Sequence, residues 1–307
     1  MKGFNSSKIK KFIDENYTGW LFNMPLAVGL LVFTFIPVIY SLVFSLNDDI
    51  FILNGNVTMT FIGLKNYVKI FAEDREMGKV IINTVIYTLV SIPLNLVASY
   101  FLALLVNTKL KGVEAFRVFY YLPCMIPAVV GGLLWKDMFD TTYGVFNKML
   151  GFIGLGPFQF FSNEKTALSS VFLMNMWGIG GGMILWLSAF KNIGRHYYEA
   201  AELDGANAWV KLINITIPMS TSMIFFNIIT SVIGTLQYNG TLTFASRDGR
   251  GPENSLYMYA VKIYREAFEK DNMGYACSLA WILLIVIGLI TVLLFSTSKW
   301  VFYGEET

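Results

Sequence analysis

Asn227, Ser231, Thr235 and Tyr238 stand at spacings of four, four and three in an apolar run at 218–238. Residues three and four apart share one face of a helix. Polar groups inside an apolar segment face protein or water rather than lipid. Amides and hydroxyls in this pattern suit the hydroxyls of a sugar, with the Tyr238 ring against its apolar face. Helix–helix packing by small polar residues accounts for the same stripe equally well. A second stripe, Asn83, Tyr87, Ser91 and Asn95, surrounds Pro93. Packing is the favoured reading there, because Ser and Asn can satisfy carbonyls that a proline frees. Gly178 and Gly182 read as a close helix contact rather than a ligand site.

Covalent chemistry is not legible in the chain. His196 is the only histidine, which all but removes His-based metal sites and Ser-His-Asp triads, so no catalytic or metal-ligating residue is assigned. Cys124 and Cys277 fall in apolar segments and read as inert packing residues. No glycine-rich loop ends in Lys-Ser/Thr, so this chain is not itself an ATPase. Of its 307 residues 55% are hydrophobic and 14% charged, against about a quarter charged in a soluble domain. The chain therefore reads as a polytopic membrane protein. The net charge of +2 comes without a basic stripe, and nucleic acid is not an expected partner. No ionisable residue lies deep in an apolar segment, which disfavours a proton- or sodium-driven carrier and points to a neutral cargo.

The elements that must hold these residues follow from the apolar runs. Residues 1–18, with Lys2, Lys8, Lys10 and Lys11, form a polar N-terminal segment. The run at 19–46 is too long for a signal-peptide core and reads as a first span kinked at Pro37. Further spans are expected at 80–106, 118–135, 167–190, 218–238 and 275–295, each near the ~20 residues a bilayer needs. Trp300, Phe302 and Tyr303 read as an interfacial anchor, and 304–307 as a tail. The fold class is therefore an all-α integral membrane protein of six transmembrane helices, with both termini on one side. Basic residues are denser in 1–18, 108–117, 191–212 and 299–307, which favours cytoplasmic termini. Residues 47–79 then form an extracellular loop with a turn at Asn54-Gly55-Asn56. Tyr257, Val261, Tyr264 and Phe268 stand at helical spacing and predict an amphipathic helix on the membrane surface.

The segment at 191–217 is the most polar interruption between two spans. Tyr198, Glu199, Ala200, Ala201, Glu202 and Leu203 favour a short helix. Asp204-Gly205 is a turn signal, with Gly205 suited to the left-handed backbone that ends a helix. A second helical piece is expected from Ala206 and is closed by Pro218, whose ring clashes with the carbonyl of Asn214. Ala200 and Ala201 make one side flat enough for close approach by another protein, and Glu199 and Glu202 charge it.

Glu199-Ala200-Ala201, Asp204-Gly205-Ala206, Ile215 and Pro218 at this spacing resemble the EAA loop of membrane subunits of binding-protein-dependent ABC importers. Ala115-Phe116-Arg117, Leu122-Pro123, Leu134-Trp135-Lys136, Gly144-Val145-Phe146-Asn147, Gly251-Pro252 with Ser255, Ala267-Phe268 and Gly274-Tyr275-Ala276 extend the likeness over 80–303. Together they resemble the first permease of the pair in sugar importers of the maltose, raffinose and glycerol-phosphate type. The glycine-rich stretch Trp177-Gly178-Ile179-Gly180-Gly181-Gly182 departs from that pattern. The resemblance implies the type I ABC importer permease fold, in the cell membrane. It implies that Tyr198, Glu199, Ala200, Ala201, Asp204, Gly205, Ala206 and Pro218 couple to an ATPase. It also implies a heterodimer with a second homologous permease, two ATPase subunits that bind ATP-Mg in place of any cofactor here, an extracellular solute-binding protein and membrane lipid. A permease for another solute such as glycerol phosphate is the alternative. A membrane sensor or scaffold and a secondary carrier stand behind it.

Overall fold

The computed structural model describes residues 17, 19, 21–53, 56–108, 111–245 and 248–302. The N-terminal lysines, Asn54-Gly55 and Tyr303 lie outside them. Helix α1 (Leu21–Ser45) leads into an antiparallel hairpin, β1 (Asn47–Leu53) and β2 (Asn56–Phe61), and a short helix α2 (Lys65–Ala72). The long helix α3 (Met77–Val106) follows. Next comes a pair bent by 99°, α4 (Val113–Met125) and α5 (Ala128–Met138), then α6 (Val145–Phe152). A second pair, α7 (Glu164–Met176) and α8 (Gly180–Asn192), is bent by 48°. Helix α9 (Arg195–Leu203) precedes a third pair, α10 (Ala208–Met219) and α11 (Thr221–Leu236), bent by 62°. The chain closes with α12 (Thr241–Phe244), α13 (Tyr259–Phe268) and α14 (Met273–Ser296). Helices α1, α3 and α14 are each long and apolar enough to cross a membrane, and the three bent pairs pass the same test together.

The hairpin corrects the all-α expectation. Residues 50–52 and 57–61 are rich in Ile, Phe, Val and Thr, which fit a pleated pair, and Leu53 pairs with Asn56 across the Asn-Gly.

Prolines shape the helices differently from one another. Pro93 sits inside the unbroken α3. Before Pro37 the backbone widens into a π turn over Leu31–Phe35, and the Ile36 N–H reaches back five residues to Leu31 O. The wider turn moves carbonyls away from the proline ring and re-satisfies the backbone inside an apolar medium. Between α4 and α5, Ile126 takes the extended backbone that a following proline favours, and the chain turns sharply.

Helix α3 packs along α8 and α11, while α14 packs along α1 and α13. One core cluster joins α3, α7, α11, α13 and α14 through Val80, Val171, Val232, Val261 and Leu279. A second joins α3 to α8 through Tyr100, Ala103, Met183, Trp186 and Phe190, and is capped by Tyr198, Leu212 and Ile215. Asn83 Nδ2 donates to the carbonyl oxygens of Asn254 (2.8 Å) and Tyr257 (3.3 Å), so at that residue the second stripe serves packing.

Helix α13 forms at the expected place, but only half of its expected membrane face is open. Tyr257 and Val261 are fully buried in the protein, whereas Tyr264 and Phe268 are exposed. The reason is a charge cluster. Lys262 is 1% exposed, with its Nζ 2.8 Å from Asp74, 3.5 Å from Glu76 and 3.8 Å from Glu266. Lys270 closes on Glu266 at 2.7 Å, and the Tyr257 ring lies 5.5 Å from Lys262 Nζ and 5.6 Å from the Arg265 guanidinium carbon. Burial works against ionisation of Asp74. Hydrogen bonds from Lys262, the Tyr275 hydroxyl and the Glu76 amide, with the Lys262 charge, outweigh it and hold the carboxyl below its ordinary 3.8.

Lys262→Met should lower stability by roughly 3 kcal/mol, because it leaves the half-buried Asp74 without its ammonium partner and the buried Glu266 with Lys270 alone; thermal unfolding in detergent reads this. A folded pKa held below the unfolded one contributes stability above the unfolded value and loses it as the pH falls through the folded one. The stability gap between the parent and Asp74→Asn should therefore be full at neutral pH and shrink below pH 3.8.

Candidate functional site

The eight residues of the expected coupling loop gather at one end of the molecule. Helix α9 ends in a paired turn: Ala206 N–H donates to Ala201 O (2.8 Å) and Gly205 N–H to Glu202 O (3.1 Å). This Schellman closure needs a left-handed residue, and Gly205 supplies it with φ +76°. No neighbour lies within 4 Å of the place a Cβ would occupy, so the constraint there is backbone conformation alone. The Asn207 side chain then accepts from Val210 N–H and caps α10. Lys211 Nζ reaches Glu202 Oε1 at 2.9 Å and bridges the two helices. That hydrogen bond and charge draw the Glu202 carboxyl below its ordinary value. Beneath, the Tyr198 hydroxyl pairs with Thr216 Oγ1 at 3.0 Å.

Glu199 and Ala200 are exposed and Ala201 half-buried. Leu203, expected only to favour the helix, and Trp209, for which no role is expected from the sequence, are 90% and 66% exposed. Apolar side chains at a polar loop are the signal that could have found them. Pro218 does not close the second helical piece. A π turn over Leu212–Thr216, with Ile217 N–H donating to Leu212 O, carries the helix past it. The break falls at Ser220 instead, whose Oγ lies 3.2 Å from the Tyr100 hydroxyl of α3.

The polar stripe divides. Asn227 Nδ2 donates to Met223 O, and Thr235 Oγ1 donates to Ser231 O, both within the turn of α11 that carries them. Tyr238 lies beyond the end of α11 and stacks on Tyr87, with ring centroids 4.5 Å apart. Asn175 Nδ2 donates to the Tyr87 hydroxyl at 2.9 Å. Of the four stripe residues only Tyr238 lines a cavity of about 190 Å³, with Trp135, Asn175, Trp177, Gly178 and Thr243 among its other walls. The Trp135 indole N–H is buried without a partner among the described residues. A buried donor left free beside a cavity suits an acceptor on a bound molecule, and the aromatic walls suit the apolar face of a ring. None of the lining residues is charged.

The glycine-rich stretch shapes this cavity. Gly178 lies at the break between α7 and α8, and its carbonyl accepts from Cys124 Sγ. The close contacts belong to Gly180, packed on the Tyr120 backbone, and to Gly182, where a Cβ would come within 2.9 Å of Ser99 Cβ. The Gly178–Gly182 pair therefore does not act as one contact. Among the described residues no group of His, Cys, Asp and Glu could hold a metal ion.

No protein-family model matches the sequence. The probable ABC transporter permease protein YesP of Bacillus subtilis is 33% identical over 303 residues, covering 97% of this chain and 96% of that protein. The lactose transport system permease protein LacF of Rhizobium radiobacter is 31% identical, covering 95% and 97%. A chain of a bacterial alginate ABC transporter, solved with an alginate pentasaccharide-bound periplasmic protein, superposes with a TM-score of 0.83 at 21% identity, over 94% of this chain and 96% of that one. At that identity the superposition speaks for the fold alone. About a third of the residues along nearly the whole length agree with YesP and with LacF, and the chain belongs to their family, the permeases of ABC transporters.

Proposed function

We propose that the chain is one permease of a heterodimeric, ATP-driven importer that moves a neutral sugar delivered by an extracellular binding protein. In this reading it crosses the membrane six times, each bent pair counting as one span, with both termini in the cytoplasm. The observation that carries the reading is the exposed α9–α10 element, a rigid, capped pair of helices set between two spans. Its small residues Ala200 and Ala201 admit a close partner, and Leu203 and Trp209 offer that partner apolar area. Two ATPase subunits would supply the energy, one docked on this element.

The sugar assignment rests on the lactose relative and on the cavity at Trp135, Trp177 and Tyr238. A cavity without a cationic side chain favours a neutral saccharide over glycerol phosphate. The Asn227, Ser231 and Thr235 face of α11 would line the path beyond it when the helices move.

Ala201→Asp places an unpaired charge in the proposed interface. It should leave membrane levels normal while abolishing co-purification of the ATPase; an intact complex would contradict the docking role. Gly205→Val forces a branched residue into left-handed backbone at about 1–2 kcal/mol, and should lower sugar-stimulated ATP hydrolysis in the same assay. At the cavity, Trp135→Phe keeps the ring and removes the N–H. One hydrogen bond of about 1 kcal/mol predicts a roughly fivefold higher KM for sugar uptake, with basal ATP hydrolysis unchanged. An unaltered KM would move the sugar site elsewhere.

A further inference from the structure

Helix α2 turns an apolar face outward. Asn66 and Ile70 point into the protein, while Leu64, Val68 and Phe71 share the opposite side and are 66%, 58% and 75% exposed. Phe61, at the end of β2, extends the patch and is 73% exposed. Lys65 is exposed on the flank. A helix standing in water would present the reverse pattern.

The position of α2 says what covers this face. Asn66 Nδ2 donates to Ser45 O (3.1 Å) and Asn47 O (3.0 Å), and the Tyr67 hydroxyl donates to Ser45 Oγ (2.9 Å), so α2 is fastened where α1 ends. Lys69 Nζ lies 5.1 Å from the centre of the Tyr275 ring in the first turn of α14. Met77, which opens α3, donates its N–H to Asp74 O just beyond α2. Three apolar helices of membrane-crossing length thus terminate around α2. Their ends mark the level at which hydrocarbon gives way to headgroups. Leu42 and Val43, each 41% exposed on the last turn of α1, carry apolar surface up to that level.

We propose that α2 and the end of β2 form an in-plane anchor seated in the bilayer interface. Phe61, Leu64, Val68 and Phe71 enter the boundary between headgroups and acyl chains, and Lys65 extends its ammonium to lipid phosphate. The occupant is the lipid surface.

Site-directed spin labelling tests this on the full chain purified with its partner subunits in phosphatidylcholine nanodiscs. Cys124→Ser and Cys277→Ser clear the background, and Phe71→Cys carries the nitroxide. Leu289→Cys on α14 is the lipid control and Lys165→Cys, exposed at the start of α7, the water control. The proposal expects the label at 71 to collide preferentially with oxygen, as at 289. Preference for the water-soluble nickel complex, as at 165, would overturn it. Shielding from both reagents would assign the face to a subunit, and shielding only on adding the binding protein would assign it to that partner; either overturns the lipid assignment. Should the cysteine-free chain fail to assemble, Phe71→Trp in the otherwise native chain gives the same reading. Its added fluorescence should be quenched by lipid brominated on the acyl chains, and unquenched emission would overturn the anchor.

Discussion

A buried ammonium group, Lys262 Nζ, holds the molecule at the end opposite the α9–α10 element. It is surrounded by Asp74 and Glu76 from the turn before α3 and by Glu266 one turn along α13. The Coulomb attraction must offset the desolvation of every partner, so the cluster is stable only when complete. Completing it fixes where α3 begins relative to α13 and, through the Tyr275 hydroxyl on Asp74, relative to α14. Because α3 is also the helix on which α8 and α11 pack, its placement passes to both helices that flank the α9–α10 element.

At the other end the controlling constraint is the backbone. An apolar medium does not tolerate unpaired carbonyls, so a proline must be absorbed by rearranging the ladder. Pro218 does this through the π turn over Leu212–Thr216, and the bend follows at Ser220. That turn is held on both sides: Thr216 meets Tyr198 of α9, and Ser220 meets Tyr100 of α3. The exposed α9–α10 element is therefore hydrogen-bonded, through a locally widened helix, to the central helix α3. Trp186 adds to the same junction, with its ring against Tyr100 and its Nε1 donating to Ser99 Oγ at 2.9 Å.

Much of this was legible in the sequence because it depends on local chemistry. Apolar runs located every membrane-length helix or bent pair, and Asp204-Gly205 located the left-handed turn that closes α9. What depends on distant partners was not. Lys262 and Glu76 are 186 residues apart, and nothing in either neighbourhood announces the pair. Without that pair the spacing of Tyr257, Val261, Tyr264 and Phe268 read as a membrane face, since periodicity does not distinguish burial in lipid from burial in protein. The strands do not follow from Asn54-Gly55-Asn56 alone, which marks a turn; the Ile, Phe, Val and Thr on either side of it carry the strand signal. The stripe on α11 was read by spacing alone, and spacing does not tell where a helix ends. Tyr238 falls past that end, into a cavity whose other aromatic walls come from α5 and the α7–α8 break.

The claim that the α9–α10 element meets an ATPase on the cytoplasmic side is tested most directly by a photo-crosslinking amino acid at Leu203 in living cells. Leu203 is 90% exposed at the tip of α9, so the probe replaces no internal contact. Mass spectrometry of the adduct should identify a nucleotide-binding ATPase subunit, with the adduct absent when Ala201→Asp is introduced. An adduct with an extracellular protein, or none with an ATPase while the chain is present at normal membrane levels, would contradict the account.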